Sequence, residues 1–229
     1  MNNDKQDLRS YGRRRGRAPS ARQAWLWQNV LPRFALNPSE PPPSPLGELF
    51  TPPVADVWLE IGFGGGEHLI WQAKQNPGIG LIGCEPFQDG VVKALSAIEA
   101  ERLTNIRLHA DDARPLLRWL PEASIGRAFL LFPDPWPKTR HHKRRLVSAA
   151  TLGELARIMR SGAELRLATD EGDYARWMLL AVVGQRNFSW TATGPADWRQ
   201  RPADWPSTRY AQKAEKAGRR CYYFRLRRG

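Results

Sequence analysis

The sequence predicts an α/β fold built on a mostly parallel sheet, and three observations carry this prediction. An apolar run at 57–61 breaks into a loop with glycines at 62, 64 and 66, which is the usual first strand, turn and helix of a doubly wound sheet. Apolar runs and helix-compatible segments then alternate as far as residue 184, as they do when crossover helices join parallel strands. Two last strands, at 188–193 and 222–226, lack a helix of this kind between them. We therefore expect seven strands, five parallel and a C-terminal antiparallel pair.

The chain ahead of the sheet divides into two parts. Residues 1–20 contain a run of arginines and cannot bury enough apolar surface to fold alone, so we expect a flexible basic arm that orders on meeting phosphate. Residues 21–53 form an extension, with a short amphipathic segment at 21–34 and a stiff surface connector at 38–53, where seven prolines occur. The main domain, 54–229, begins near Val54.

The elements of the main domain follow in order. We expect strands near 55–61, 80–85, 105–110, 127–132 and 163–169, and helices near 66–76, 88–101, 113–120, 148–160 and 172–184. Ligands bind beyond the carboxyl ends of the strands in sheets of this kind. The residues that follow each strand are therefore the candidates for a functional site.

Length and composition exclude several classes of protein. The 229 residues suit one large domain with extensions. The chain has no apolar run of the ~18 residues that a membrane span needs, and its first residues lack the apolar segment of a signal peptide. Cys84 and Cys221 lack metal-ligand spacing. We therefore expect reduced thiols in a cytoplasmic protein without a metal site, either a monomer or a homodimer.

Positive charge is concentrated in three segments. The chain has 35 basic and 23 acidic residues, a formal net charge of +12. Segments 1–20, 138–145 and 199–228 together hold 21 basic and four acidic residues, which leaves 14 basic and 19 acidic residues elsewhere. Cationic segments on an acidic body favour a polyanionic partner held at several places over charge that is merely solvated.

The glycine loop favours one cofactor class over another. Its pattern is Glu60-x-Gly62-x-Gly64-x-Gly66, whereas a dinucleotide fingerprint counted from Gly62 requires glycine where Glu67 stands. The loop resembles the first motif of class I S-adenosylmethionine methyltransferases. This implies that Glu60 lies near the methionine part of the cofactor and that the glycines face its sugar and sulfonium. The alternative is a glycine-rich turn that binds nothing, since such loops are common.

An acidic residue lies at the end of each of the five parallel strands: Glu60, Glu85, Asp112 (preceded by Asp111), Asp134 and Asp170. Glu85 is placed to accept hydrogen bonds from a ribose diol, and an acid at 111–112 can accept from an adenine amino group. A single acid at such a position is often only a helix N-cap. Five at one edge of a sheet indicate a site.

The most specific short motif follows the fourth strand. In Pro133-Asp134-Pro135-Trp136 two prolines fix the backbone around a carboxylate, and the indole offers a stacking face. A related loop occurs in amino-directed nucleic-acid methyltransferases. The basic run 138–145 comes next, and this combination suits a nucleobase attached to phosphates. A proline-rich turn before a basic helix start is the alternative.

Together these motifs resemble the bacterial tRNA (guanine-N7-)-methyltransferase family over nearly the whole chain. The matching segments are the basic arm at 9–14, the loop at 59–66, residues 132–138 with 140–141 and 143–145, and residues 168–170 with 174–175. The resemblance implies a Rossmann-like class I methyltransferase fold with S-adenosyl-L-methionine as the methyl donor. It also implies tRNA as the partner and N7 of the variable-loop guanine at position 46 as the acceptor.

The resemblance also implies roles for individual residues. Donor binding falls to Glu60, Gly62, Gly64, Gly66, Glu85, Asp112 and Asp134, and substrate binding to Lys138, Asp170, Thr208, Arg209 and Tyr210. The chain departs from the family's pattern at three positions, where Glu171, Ala211 and Ala214 replace a tryptophan, a glutamate and a glycine.

Asp134 is the first candidate for catalysis. Guanine N7 has a free lone pair and no proton to lose, so positioning matters more than a base. The purine ring becomes positive as the methyl group arrives, and a nearby carboxylate stabilises that charge. Asp170, on the N1/N2 edge of guanine, is the second candidate. Flanking phosphates, which position the RNA without specifying the base, would be held by Lys138, Arg140, Lys143, Arg144 and Arg145.

Three other functions stay open from the sequence. A small-molecule methyltransferase would keep the glycine loop but has no need of three basic segments. A catalytically idle RNA-binding protein would keep those segments but has no reason for an acid after each strand. A nicotinamide-dependent oxidoreductase is disfavoured by Glu67.

Overall fold

The structure is a computed structural model that describes Arg14, Gly16 and residues 18–229. Most of the predicted basic arm, including its flexibility, therefore lies outside the described residues. Within the described part of the chain no helix is both long and apolar enough to cross a bilayer.

Seven strands of the described chain form one sheet. They are Asp56–Ile61 (β1), Ile79–Cys84 (β2), Ile106–His109 (β3), Ile125–Leu131 (β4), Met159–Thr169 (β5), Phe188–Trp190 (β6) and Tyr222–Arg228 (β7), in the order β3-β2-β1-β4-β5-β7-β6. The first five pair in parallel, and β7 is antiparallel to both β5 and β6. The predicted fold class is confirmed. The strand order reverses between β1 and β4, where ligands bind in sheets of this type.

Helices cover both faces of the sheet. They are Ala21–Trp25 (α1), Leu31–Phe34 (α2), Glu67–Gln75 (α3), Gln88–Ala100 (α4), Ala113–Trp119 (α5), Ala149–Ile158 (α6), Gly172–Val183 (α7), Ala196–Arg199 (α8) and Arg209–Lys216 (α9). A π-helical turn, Leu26–Val30, joins α1 to α2, and 3-10 turns occur at Leu46–Leu49 and Thr139–Arg144. Helices α3 to α7 lie within two residues of the predicted ranges. In contrast, α8 and α9 occupy a segment that the sequence predicts as loop.

Two apolar clusters lie on opposite faces of the sheet, because side chains alternate along each strand. Along β1, Val57, Leu59 and Ile61 join the cluster that contains α5, α6 and α7. Trp58 joins the other cluster, with α3, α4 and the N-terminal segment. By the same alternation Glu60 lies on the side of Trp58.

The proline-rich segment is partly buried rather than wholly a surface connector. Leu46 is 5% exposed and Phe50 is 2% exposed. The ring of Phe50 occupies the space beside Gly80, where an added Cβ would lie 2.3 Å from its Cε2. Leu46 and Phe50 of the segment 38–53 therefore join the apolar core, and Phe50 covers the amino end of β2. The number of prolines in the segment does not predict this packing.

Candidate active site

A cavity of about 560 Å³ lies at the carboxyl ends of β1, β2 and β4. Its wall contains ten of the residues proposed from the sequence: Gly62, Gly64, Glu85, Asp112, Asp134, Trp136, Lys143, Arg144, Arg145 and Tyr210. Seven others are absent from this wall: Glu60, Gly66, Lys138, Arg140, Asp170, Thr208 and Arg209. The five acids after the strands are thus not equivalent.

Two of the three loop glycines face the cavity. Gly62 has φ 76° and open space beside it, and Gly64 has φ 57° with the Tyr210 ring 3.2 Å from where a Cβ would be. These are left-handed conformations, which favour glycine. Gly66, at φ 85°, lies instead against α4, where an added Cβ would be 2.9 Å from that of Ala94. It allows α3 and α4 to pack, which differs from the expectation that it faces a ligand.

Glu85 holds the glycine loop in place from the end of β2. Its Oε2 accepts a hydrogen bond of 2.8 Å from the backbone N–H of Gly64, and its Oε1 accepts one of 2.8 Å from that of Phe87. Burial raises the pKa of Glu85 despite these bonds, and the nearby charge of Asp134 adds to the increase. Each carboxylate oxygen has a second lone pair, so Glu85 can also accept from ligand hydroxyls.

Asp112 is the N-cap of α5 as well as part of the cavity wall. Its Oδ1 accepts from the backbone N–H and Nε of Arg114 at 2.9 and 2.8 Å, and its Oδ2 accepts from Nη2 at 2.7 Å. Burial acts to raise the pKa of Asp112, but the hydrogen bonds from Arg114 outweigh it and the pKa lies below its ordinary value. The preceding Asp111 forms an ion pair with Arg14, so this part of the basic arm reaches the cavity rim.

Asp134 lies in a strained loop, and its carboxylate has no hydrogen-bond partner among the described residues. The flanking Phe132 and Trp136 have φ values of 52° and 43°, which non-glycine residues rarely adopt outside functional sites. No residue of the described chain forms a hydrogen bond or ion pair with the Asp134 side chain. Desolvation by the cavity walls raises the pKa of Asp134. A carboxylate in this state is available to a ligand.

The basic run divides into exposed and buried members. Lys143 and Arg144 line the cavity, and the Arg144 guanidinium lies 4.9 Å from the Trp136 ring centroid. Lys138 and Arg140 are exposed outside it. Arg145 is only 4% exposed, donates from Nε to the Pro135 carbonyl at 2.8 Å and pairs with Asp173. These contacts use part of the Arg145 guanidinium to fix the loop, whereas its Nη1 has no hydrogen-bond partner among the described residues, so a role in holding phosphate stays a prediction.

The segment before α9 brings Tyr210 into the cavity. Thr208 is buried and caps α9, its hydroxyl accepting from the N–H of Ala211 at 3.2 Å. The Tyr210 ring lies nearly parallel to that of Phe132, at 14° with centroids 6.5 Å apart. Ala211 and Ala214 lie on the buried face of α9. These two alanines, which replace a glutamate and a glycine of the family pattern, therefore lie on the face of α9 that packs against the rest of the chain.

Residues that sequence reasoning missed hold this segment on the sheet. Asp204 accepts a 2.6 Å hydrogen bond from Arg166, whose side chain is buried in β5. Trp205 is 2% exposed and its ring contacts His68 and Tyr223. Pro202 and Pro206 flank Asp204 and Trp205 closely. This combination of prolines, an aspartate and a tryptophan resembles the Pro-Asp-Pro-Trp motif at 133–136, and it is the sequence signal that points to an ordered segment here.

Glu60 and Asp170 are both engaged with other side chains. Glu60 is 2% exposed and accepts from Nδ1 of His68 at 2.8 Å, on the same face of the sheet as Trp58. Asp170 accepts a 2.8 Å hydrogen bond from Nε of Arg219. Their roles in ligand binding stay predictions. Among the described residues no cluster of His, Cys, Asp or Glu could hold a metal ion.

Comparisons with known proteins agree with this architecture. The profile of a family described as putative methyltransferase matches residues 55–224. Solved structures of low sequence identity share the fold, and two of them serve as examples. The rRNA methylase from Streptococcus thermophilus has a TM-score of 0.51 and 12% identity, covering 76% of this chain and 86% of that one. TrmN from Thermus thermophilus has a TM-score of 0.52 and 17% identity, covering 77% and 45%.

Curated relatives are much more similar in sequence. The tRNA (guanine-N(7)-)-methyltransferase of Rhodospirillum rubrum is 48% identical over 231 residues, covering 97% of this chain and 89% of the relative. Its counterpart in Nitrobacter hamburgensis is 47% identical over 218 residues, covering 95% and 86%. The chain belongs to the tRNA (guanine-N(7)-)-methyltransferase family.

Proposed function

We propose that this protein methylates N7 of guanine in tRNA, that the guanine is the one at position 46 of the variable loop, and that donor and acceptor meet in the cavity at the ends of β1, β2 and β4. The observation that carries the proposal is the character of the two sides of this cavity. Glu85 and Asp134 make one side acidic, whereas Lys143 and Arg144 make another side cationic and place it beside the Trp136 ring. A sulfonium donor suits the first side, and a nucleobase with its phosphates suits the second.

S-adenosyl-L-methionine is the methyl donor, and the residues of the cavity fit it. It supplies an electrophilic methyl group on a positively charged sulfur. Glu85 keeps free lone pairs beside a loop whose Gly62 leaves open space, as a ribose diol and a closely approaching ligand require. Asp112 offers its remaining lone pairs at the neighbouring strand end.

Asp134 would contribute charge rather than proton transfer. Guanine N7 loses no proton, so the protein must align the nitrogen with the methyl carbon and stabilise the charge that passes to the purine ring. Asp134 is positioned in the cavity, lacks a described partner, and is partly desolvated. Asp134 is exposed in the structure, so a bound donor and base would have to cover it, and electrostatic stabilisation is stronger in such a covered site than in water.

The test is to incubate unmodified tRNA with the protein and the donor and then analyse its nucleosides by mass spectrometry. We expect N7-methylguanosine, and its loss when guanine 46 of the transcript is replaced by adenine. N7-methylguanosine at unchanged yield in the substituted transcript would place the target elsewhere. No methylation of either transcript would refute the activity itself.

The role of Asp134 has its own test. Removing a group that stabilises developing charge typically lowers kcat about 10²–10³-fold, so Asp134→Ala should do so while the protein still binds the donor in calorimetry. Transfer within a few-fold of the unsubstituted protein would remove Asp134 from the chemistry.

A further inference from the structure

Two nearly parallel aromatic rings lie in the wall of the cavity that contains Asp134. The rings of Phe132 and Tyr210 are inclined by only 14°, and their centroids are 6.5 Å apart. Stacked bases are spaced by about 3.4 Å, so a base between two rings requires about 7 Å between them. The centroid separation of 6.5 Å includes any sideways offset between the rings, so the exposed Tyr210 side chain has to move to admit a purine.

Both rings lie where an acceptor base has to be. They belong to the wall of the same cavity as Asp134 and Glu85. The Tyr210 ring also lies against Gly64 of the glycine loop, so the space between the rings adjoins the place proposed for the methyl donor. Tyr210 is 46% exposed, which leaves one side open to an RNA.

Each ring is anchored by a different part of the fold. Phe132 follows β4, and its backbone N–H donates to the carbonyl of Ala168 on β5 at 2.8 Å. Tyr210 is in the first turn of α9, which is capped by Thr208 and preceded by the buried Trp205. The backbone of each ring is thus positioned by its own element, Phe132 by the end of β4 and Tyr210 by α9.

We propose that Phe132 and Tyr210 clamp the target guanine between their faces while Asp134 stabilises the positive charge that the ring acquires. This inference rests on the proposed function and assigns the acceptor subsite within it. Transfer of the methyl group makes the purine cationic, and the faces of aromatic rings attract cations. The clamp therefore binds the base more tightly as the transition state is reached, which is the condition for accelerating the reaction.

Substitution of Tyr210 tests the clamp. Stacking of a base on an aromatic side chain contributes enough that its removal lowers affinity about 5- to 100-fold, so Tyr210→Ala should lower kcat/KM for tRNA by that factor. Tyr210→Phe keeps the ring and should stay within about two-fold. Trp25→Ala is the matched control, because Trp25 is an aromatic residue of similar exposure, 42%, on α1.

A second measurement separates stacking from a structural effect. A tRNA with 2-aminopurine in place of the target guanine should lose fluorescence on binding the unsubstituted protein, because stacking on the rings quenches it. The bound complex with Tyr210→Ala should be brighter, while donor binding measured by calorimetry stays unchanged. Equal quenching in both proteins would overturn the clamp.

The remaining outcomes also decide between the proposals. Full activity of Tyr210→Ala would refute the clamp and leave the methyltransferase function intact. Loss of donor affinity in Tyr210→Ala with an unchanged KM for tRNA would assign the ring to the donor and likewise refute the clamp. Failure of the unsubstituted protein to methylate tRNA would refute the proposed function itself.

Discussion

At the scale of single residues, the pKa values of two carboxylates of the cavity, Asp134 and Asp112, shift in opposite directions because their surroundings differ. Desolvation raises the pKa of Asp134, which has no described partner to oppose it. Burial also acts on Asp112, but Arg114 donates to both of its oxygens and the pKa is lowered. The cavity therefore contains one carboxylate kept firmly ionised and one whose ionised form is destabilised until a positive charge arrives.

The first prediction concerns pH and activity. Asp134 takes up a proton at a higher pH than an ordinary aspartate, so its negative charge is lost as the pH falls through this raised pKa. We expect an acidic limb in the pH profile of kcat/KM that lies above the ordinary aspartate value of about 3.9. Asp134→Asn should lower activity and remove that limb. A limb that persists in Asp134→Asn belongs to another group, with Glu85→Gln as the next variant to measure.

The same shift predicts an opposite effect on stability. A pKa raised on folding means that ionised Asp134 destabilises the folded state at neutral pH, and that this penalty disappears below the unfolded-state pKa of about 3.9. Asp134→Asn should therefore unfold at a higher urea concentration at pH 7, with no difference at low pH. Asp112 has a lowered pKa and is the control of opposite sign, since Asp112→Asn should destabilise at pH 7. Equal signs for the two variants would contradict this account.

Sequence reasoning identified the cavity residues that follow strands but not the direction of every side chain. Glu85 comes directly after β2, Asp134 is the third residue after β4, and both line the cavity. Glu60 is still within β1, where alternation turns it toward His68. Arg145 looks like its basic neighbours in the sequence, yet it is buried against Pro135. Such differences depend on partners distant in sequence, which a local pattern does not contain.

At the scale of secondary-structure elements, the parallel strands were predictable and the segment that completes the cavity was not. Strands β1 to β5 are apolar runs between turn residues, a signal that is local. The segment from 196 to 216 is rich in basic residues, proline and tryptophan, so its composition is typical of loop. Its structure comes from long-range contacts, chiefly Trp205 in the apolar cluster and Asp204 on Arg166.

The second prediction is that Trp205 anchors α9 and hence Tyr210. Replacing a buried tryptophan by alanine costs about 3–5 kcal/mol, and Trp205 is 2% exposed. Trp205→Ala should lower the free energy of unfolding by that amount in urea titrations. Trp190, which is 39% exposed on the edge strand β6, is the matched control and should cost less than half as much.

The anchoring also has a local readout. Asp204→Ala removes only the exposed partner of Arg166 and should leave the protein folded. We expect faster amide hydrogen exchange in Arg209–Lys216 of this variant, and unchanged exchange in Ala149–Ile158 (α6), which belongs to the other apolar cluster. Unchanged exchange in α9 would mean that the segment is held by other contacts.

At the scale of the whole molecule, the distribution of charge suits a partner much larger than the cavity. The net charge of +12 comes from three segments, while the rest of the chain is acidic. In the structure one of these segments, Thr139–Arg144, adjoins the cavity, and Arg14 of another contacts Asp111 at its rim. Described members of two separate basic segments thus meet at the site. The excess of positive charge could be predicted from the sequence. The meeting of the two basic segments at the cavity could not, because it depends on how the chain folds.

The third prediction is that tRNA binding depends steeply on salt and that the exposed cations beside the cavity account for part of the dependence. Each phosphate contact contributes about 0.7–0.9 to the slope of log affinity against log salt concentration. Lys138 and Arg140 are exposed, so the double variant Lys138→Ala/Arg140→Ala should reduce the slope by about 1–2. Lys74, paired with Glu101 at 2.9 Å, is the control, and Lys74→Ala should leave the slope unchanged. Filter-binding titrations over a range of salt concentrations measure all three proteins. A reduced affinity with an unchanged slope in the double variant would mean that these cations act on the fold of the loop, because a lost phosphate contact must release fewer counterions.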